Sequence, residues 1–272
     1  MKKFASLVLF VFVAAVLVAC GDDDSSFATR PSDGSSSSVT PKSSDSETSV
    51  SSISSVTRVT PCKTDSSDTC EYGELADERD GQIYKTVTIG DQVWMAENLN
   101  FESENSFCYN DSAEYCAEYG RLYTWAAAMD SAGFWSVNGM GCGYYKTCMP
   151  TYPVRGVCPE GWHMPSKDEW GELLNFVGQL GATGSVLKST VGWKDSKDGS
   201  GNGYDSFGFS AIPAGRGSPY DGKGFAALFW SSSTNNGDMY SFRVNLCHNY
   251  YYHFLDLAGR DWAYSVRCVK DE

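Results

Sequence analysis

Gln82-Ile83-Tyr84-Lys85-Thr86-Val87-Thr88-Ile89-Gly90-Asp91-Gln92-Val93-Trp94-Met95 is a pair of β-rich runs around Gly90-Asp91. β-Branched and aromatic residues on both sides of a Gly-led tight turn predict a hairpin. Further along, Ser166 and Glu169 stand at capping-box spacing just after Pro165. Trp170, Leu173, Leu174 and Val177 then share one helical face, and Gly178 or Gly181 ends the helix. Residues 123–129 are rich in Ala and aromatics without a breaker and predict a second, short helix. Residues 239–246, 250–256 and 262–269 predict strands, with Tyr240, Phe242, Val244 and Leu246 alternating with polar partners. Two short turns would make these three an antiparallel meander. Residues 181–224 hold 11 Gly in 44 positions and predict a long irregular loop. Strands, two helices, a long Gly-rich loop and strands again form an α+β pattern.

The domain so outlined runs over residues 80–272. It holds all 8 Trp and most of the Tyr and Phe, enough for a substantial core. No second linker divides it, and no repeat recurs at a fixed period. The full chain of 272 residues carries 21 basic and 34 acidic side chains, a formal net charge of −13. Without a cluster of Lys and Arg it has no phosphate-binding surface, which argues against nucleic acid as a partner.

Before the domain the composition changes twice. Met1-Lys2-Lys3 precedes an apolar run over 4–19, of signal-peptide length and short for a membrane span. The run ends Leu17-Val18-Ala19-Cys20, which resembles the bacterial lipobox. That resemblance implies cleavage before Cys20, a diacylglyceryl thioether on its sulfur and acylation of the new amine, a stable membrane anchor. Gly21-Asp22-Asp23-Asp24 follows and fits either a surface-export signal or a solvated spacer. From 21 to 60, half of the residues are Ser or Thr, so 20–61 predicts a lipidated cysteine and a disordered tether. Residues 62–79 read as a polar pre-domain segment outside the core. Local spacing favours the disulfides Cys62–Cys70, Cys108–Cys116 and Cys142–Cys148.

Seven stretches carry a family likeness, in chain order. They are Asp80-Gly81-Gln82-Ile83-Tyr84-Lys85-Thr86-Val87, Trp94-Met95-Ala96-Glu97-Asn98-Leu99, Gly120-Arg121-Leu122-Tyr123-Thr124-Trp125, Cys158-Pro159-Glu160-Gly161-Trp162-His163-Met164-Pro165-Ser166, Gly208-Phe209-Ser210-Ala211-Ile212-Pro213-Ala214-Gly215, Phe229-Trp230-Ser231-Ser232 and Ser265-Val266-Arg267-Cys268-Val269. Together they resemble the Fibrobacter major paralogous (FISUMP) domain, a family of secreted and surface lipoproteins whose activity is not established. The resemblance implies a C-type-lectin-like fold and a place on the outer membrane, exposed at the cell surface. It also implies a Cys158–Cys268 disulfide, which leaves Cys247 as the odd cysteine. In folds of that type ligands meet the long loop and the adjoining strands. The residues so implied are Trp193, Tyr204, Arg216, Tyr220, Asp221 and Tyr251. Tyr251 faces outward only if Tyr250 and Tyr252 point to the core.

The remaining chemistry is sparse. The calcium-sharing tripeptides of sugar-binding C-type lectins are absent, Trp193-Lys194-Asp195 being the nearest. The Gly-Gly-Ser-Trp of formylglycine-generating enzymes is absent too. Asp198, Ser200, Asn202 and Gly203 mimic half of an EF-hand loop, but Phe209 stands where the bidentate Glu belongs. A turn-rich loop accounts for the same residues. His248 and His253 are five apart, and no HExxH or paired CxxC occurs, so no metal or cofactor is expected. There is no Gly-x-Ser-x-Gly elbow. The chain therefore reads as a non-catalytic binding domain for polysaccharide or for an envelope or extracellular protein. The alternatives are a structural envelope protein and an enzyme acting on an extracellular polymer through a carboxylate pair.

Overall fold

The computed structural model describes Cys20 and residues 59–217, 219–235 and 237–272. The apolar run 4–19 and the tether from 21 to 58 lie outside the described residues. The elements are β1 (Lys63–Thr64), β2 (Ser67–Asp68), β3 (Tyr72–Ala76), β4 (Ile83–Ile89), β5 (Gln92–Met95), β6 (Ser106–Phe107), α1 (Ala113–Tyr119), β7 (Leu122–Thr124) and α2 (Trp125–Ala128). There follow β8 (Trp162–His163), α3 (Lys167–Gly178), α4 (Thr183–Leu187), β9 (Ala226–Thr234), β10 (Tyr240–Cys247), β11 (His253–Gly259), β12 (Ala263–Tyr264) and β13 (Val269–Lys270). Helices and antiparallel sheets together make an α+β fold.

β4 and β5 form the predicted hairpin, with Ile89 opposite Gln92 across Gly90-Asp91. They sit in a five-stranded sheet ordered β3-β4-β5-β13-β8, so the last strand lies beside one of the first. A second sheet runs β11-β10-β9, and a third β12-β7-β6. In α3 the capping box is complete: Glu169 N–H donates to Ser166 Oγ at 3.2 Å, and Ser166 N–H to Glu169 Oε2 at 2.7 Å. Its buried face carries Trp170, Leu173, Leu174 and Val177.

Aromatics fill the space between the first two sheets. Trp94 and Trp170 have ring centroids 4.7 Å apart, Phe209 meets both edge-on, and Phe229 packs tilted on Trp170 and edge-on to Phe209. The indole N–H groups of the most deeply buried tryptophans are satisfied, as burial of this polar handle requires. Trp170 donates to the Trp230 carbonyl at 3.3 Å, Trp230 to that of Tyr123 at 2.8 Å, and Trp125 to that of Ser231 at 3.0 Å. The Phe229-Trp230-Ser231-Ser232 stretch is thus part of buried strand β9. His163 is structural, held between Asp271 and Glu169 at 2.6 Å each. Burial opposes its charge, but the two carboxylate hydrogen bonds prevail and its pKa is raised.

Four features differ from the sequence expectation. Residues 62–79 belong to the fold: β3 pairs along its length with β4, and Leu75 is buried. Four α-helices occur among the described residues rather than two. α4 escaped notice because Gly181 and Gly184 read as breakers, yet all five of its residues are buried. The C-terminal strands are not a meander. β12 pairs with β7 in another sheet, and β9, read as a short motif, joins β10 instead. Cys247 is paired as well. The structure holds Cys62–Cys70, Cys108–Cys116, Cys142–Cys148 and Cys158–Cys268, and it joins Cys247 to Cys20.

The Cys158–Cys268 bond ties the loop before α3 to the segment before β13, across 110 residues of sequence. Replacing both cysteines with Ala should lower the unfolding free energy by about 4–5 kcal/mol, the chain-entropy value for such a loop. Denaturant unfolding under oxidising conditions measures this. A loss under about 1 kcal/mol would mean that the loop is already constrained in the unfolded chain.

Candidate functional site

The Gly-rich segment is a set of close backbone approaches. The N–H groups of Gly184 and Ser185, at the start of α4, donate to the Tyr251 carbonyl at 2.8 and 3.2 Å. A Cβ on Gly184 would stand 2.5 Å from the Tyr252 carbonyl oxygen, so only Gly admits this contact. Gly203 N–H reaches the Ser189 carbonyl at 2.9 Å, and Tyr204 N–H that of Ser185 at 2.7 Å. A Cβ on Gly203 would lie 2.3 Å from the Lys188 carbonyl oxygen. α4, the 199–205 loop and the β10–β11 turn are thereby drawn together.

Between them lies a polar cavity of about 180 Å³, walled by Ser185, Lys188, Tyr204, His248, Asn249 and Tyr251. Ser196, Asp198, Ser200 and Asn202 complete it on the loop side. Lys188 is 2% exposed. Its ammonium donates to the Cys247 carbonyl at 3.1 Å and lies 5.0 Å from the centre of the Trp193 ring. It forms no ion pair among the described residues. Burial lowers its pKa from 10.5 to about 8. His248 is 3% exposed, stacks edge-on against Phe225, and neither ring nitrogen has a partner among the described residues. Asn249 Oδ1 is buried without a partner too. Tyr204 and Tyr251 stand above, 61% and 57% exposed. A cation, an imidazole, an amide and hydroxyls under two tyrosines can grip a polar ring and its substituents.

Of the six residues implied for binding, the structure brings Tyr204 and Tyr251 to this cavity. Trp193 must be corrected: it is 5% exposed, and its indole N–H donates to Ser189 Oγ and the Ala211 carbonyl. It cannot stack on a ligand and instead backs Lys188. Arg216, Tyr220 and Asp221 form a different cluster. Arg216 and Asp221 exchange backbone hydrogen bonds and an ion pair, and the guanidinium lies 4.2 Å from the centre of the Trp262 ring. The Tyr220 hydroxyl donates to Asp111, and its ring packs on Tyr109. β11 begins only at His253, so Tyr250, Tyr251 and Tyr252 precede it and all three are exposed. Sequence reasoning missed Lys188 and left His248 in its turn unassigned. The one signal for Lys188 was a lysine ending the otherwise uncharged stretch Thr183-Gly184-Ser185-Val186-Leu187.

A second, more open groove of about 320 Å³ lies at the 131–135 loop. Asp130 shapes it by accepting from the N–H groups of Phe134, Trp135 and Ser136. Phe134 is largely exposed there. Among the described residues, no three His, Cys, Asp or Glu side chains converge as a metal centre. No helix among them is long and apolar enough to cross a membrane.

The comparisons with known proteins yield one finding. The family model of the Fibrobacter succinogenes major domain matches residues 87–270. No curated protein and no solved structure matches the chain.

The account of Lys188 makes a stability prediction. With a folded pKa of about 8 against 10.5 unfolded, the unfolded chain binds more protons across that window. Stability contributed by this group therefore rises with pH from about 8 to 10.5. Lys188→Met should raise stability near neutral pH and remove that rise. The difference between wild-type and variant urea-unfolding profiles measures it. A constant difference across the window would contradict the burial of an uncompensated ammonium.

Proposed function

Because the chain belongs to the Fibrobacter succinogenes major domain family, we propose that it is a non-catalytic polysaccharide-binding domain held at the bacterial cell surface. The observation that carries this reading is the pairing of two buried groups, Lys188 without an ion-pair partner and His248 without a hydrogen-bond partner among the described residues, with two exposed tyrosines at one cavity. Sugars stack on flat rings and hydrogen-bond to fixed polar groups, which is the chemistry assembled there. The cavity contains a single carboxylate, Asp198, rather than the facing pair that a glycosidase uses. That favours binding over hydrolysis. At about 180 Å³ it is smaller than the roughly 300–1,000 Å³ typical of drug-sized ligands, so it suits one sugar unit of a longer chain.

The proposed fold is C-type-lectin-like. The meeting of β5 and β13 in one sheet supports this, as does the long loop leading into the β9–β10 pair. The proposed anchor is a lipid on Cys20, supported by Leu17-Val18-Ala19-Cys20 at the end of an apolar run. One sulfur cannot carry both a thioether and the bond to Cys247. In the lipidated form Cys247 is therefore released from this bridge. Intact mass of the membrane-extracted protein distinguishes the two: acyl mass with one alkylatable cysteine supports the anchor, and an unacylated Cys20–Cys247 bridge refutes it.

Calorimetric titration of the full chain against a panel of soluble polysaccharides tests the binding reading. Tyr204→Ala with Tyr251→Ala should weaken binding of the best polymer about tenfold or more, equivalent to about 1.4 kcal/mol. The melting temperature should hold, since both rings are exposed. Unchanged affinity would overturn the site.

A further inference from the structure

We infer that the cavity at Lys188 and His248 recognises a singly charged acidic substituent, the carboxylate or sulfate ester of an acidic polysaccharide; this rests on the binding reading above. An ammonium has three N–H groups, and among the described residues that of Lys188 makes one hydrogen bond, to the Cys247 carbonyl. The other two N–H groups lie in a buried setting, and among the described residues no carboxylate forms an ion pair with the ammonium. Buried charge is costly unless it is paired and hydrogen-bonded. The Trp193 ring face beneath the ammonium offsets part of that cost without neutralising the charge. An anionic oxygen entering the cavity would supply the missing partner. The lowered pKa still leaves most Lys188 side chains protonated near neutral pH.

The neighbours fix the class further. His248 presents two partnerless ring nitrogens, one of them a donor in the neutral ring. The Ser185 and Ser200 hydroxyls, also in the lining, add neutral donors. Asp198 is the only carboxylate in the lining, on an exposed segment. The other titratable groups facing the cavity are His248, Tyr204 and Tyr251. One buried cation opposed by one solvent-screened carboxylate matches a monoanion and disfavours a dianion such as a phosphate monoester.

The test compares polymers that differ only in charge. The full chain is titrated with polygalacturonate and with the same polymer after carboxyl reduction, then with dextran sulfate and dextran. At least one acidic polymer should bind about tenfold or more tightly than its neutral counterpart. Which of the two does so identifies the carboxylate or the sulfate ester as the source. Lys188→Met should abolish the preference, His248→Gln should weaken it, and Lys197→Ala, at an exposed position outside the lining, should leave it intact. In wild type the preference should also fade as pH rises through about 8–9, the range in which Lys188 loses its proton. Equal binding of acidic and neutral forms, insensitive to Lys188→Met, would overturn this inference and leave the polysaccharide reading standing. Loss of the preference in Lys197→Ala would show diffuse surface attraction and overturn the inference too. Failure to bind any of the four polymers, or any in the wider panel, would overturn both.

Discussion

The guanidinium of Arg267 is the clasp on which the molecule depends. It is fully buried and forms no ion pair among the described residues. Instead Nε donates to Asn98 Oδ1 at 2.8 Å, Nη1 to the carbonyls of Met95 and Phe209, and Nη2 to that of Ser210 at 2.9 Å. The rings of Phe209 and Phe229 flank it. Asn98 passes the connection on, donating to the Tyr119 carbonyl and to Ser265 Oγ. One side chain thus joins the end of β5, the 205–210 loop and the segment before β13. Burial lowers its pKa to about 9, against the opposing pull of the Asp205 and Glu97 charges, and this still leaves it charged at neutral pH. A lysine could not serve, since a point ammonium has neither the planar fork nor the donor count. The loop that Arg267 pins also docks on α4, through Tyr204, Ser206 and Ala211 N–H groups to the Ser185, Val186 and Leu187 carbonyls. The cavity therefore inherits its shape from this clasp.

Two more buried arginines follow the same logic. Arg243 is paired with Asp256 and the Tyr264 hydroxyl. Arg260 spends its donors on Ser241 Oγ and the carbonyls of Gly143, Lys146, Gly237 and Asp238. Each is a structural cation, its charge absorbed by the protein. Lys188 is buried as deeply but keeps N–H capacity unspent, beside an imidazole in the same condition. That contrast, rather than cavity size, separates the candidate site from the groove at Phe134 and Trp135. There the buried charged group, Asp130, is already satisfied by three backbone donors.

Local chemistry was legible in the sequence and distant chemistry was not. The Gly90-Asp91 hairpin, the Ser166–Glu169 box and the three short-range disulfides are each decided within a few residues, so pattern and spacing suffice. The family likeness supplied the Cys158–Cys268 pairing that spacing could not. Trp193 was misplaced because the fold likeness puts ligands at the long loop that carries it; in the structure its ring is buried and its indole N–H is held by Ser189 and Ala211. The alternation over 250–256 assumed one continuous strand, but the Tyr251 carbonyl is taken by Gly184 and Ser185 before β11 starts. Lys188 and His248 are 60 positions apart, and nothing in either neighbourhood names the other. Only the backbone approaches at Gly184 and Gly203 reveal that they share a cavity. In the candidate site the sequence singled out Tyr204 and Tyr251, its two exposed rings, and Asp198, Ser200 and Asn202 on the loop side, the last three only as half of an EF-hand loop.

The central claim is that one cavity, with Lys188 and His248 in its wall, receives the ligand. Nuclear magnetic resonance of the full chain with nitrogen-labelled lysine and histidine addresses it most directly, during titration with oligogalacturonate and with a sulfated oligosaccharide. The account predicts saturable shifts of the Lys188 ammonium and both His248 ring nitrogens with at least one of these ligands, and no change at His163. Saturable binding that leaves Lys188 and His248 unmoved would contradict it.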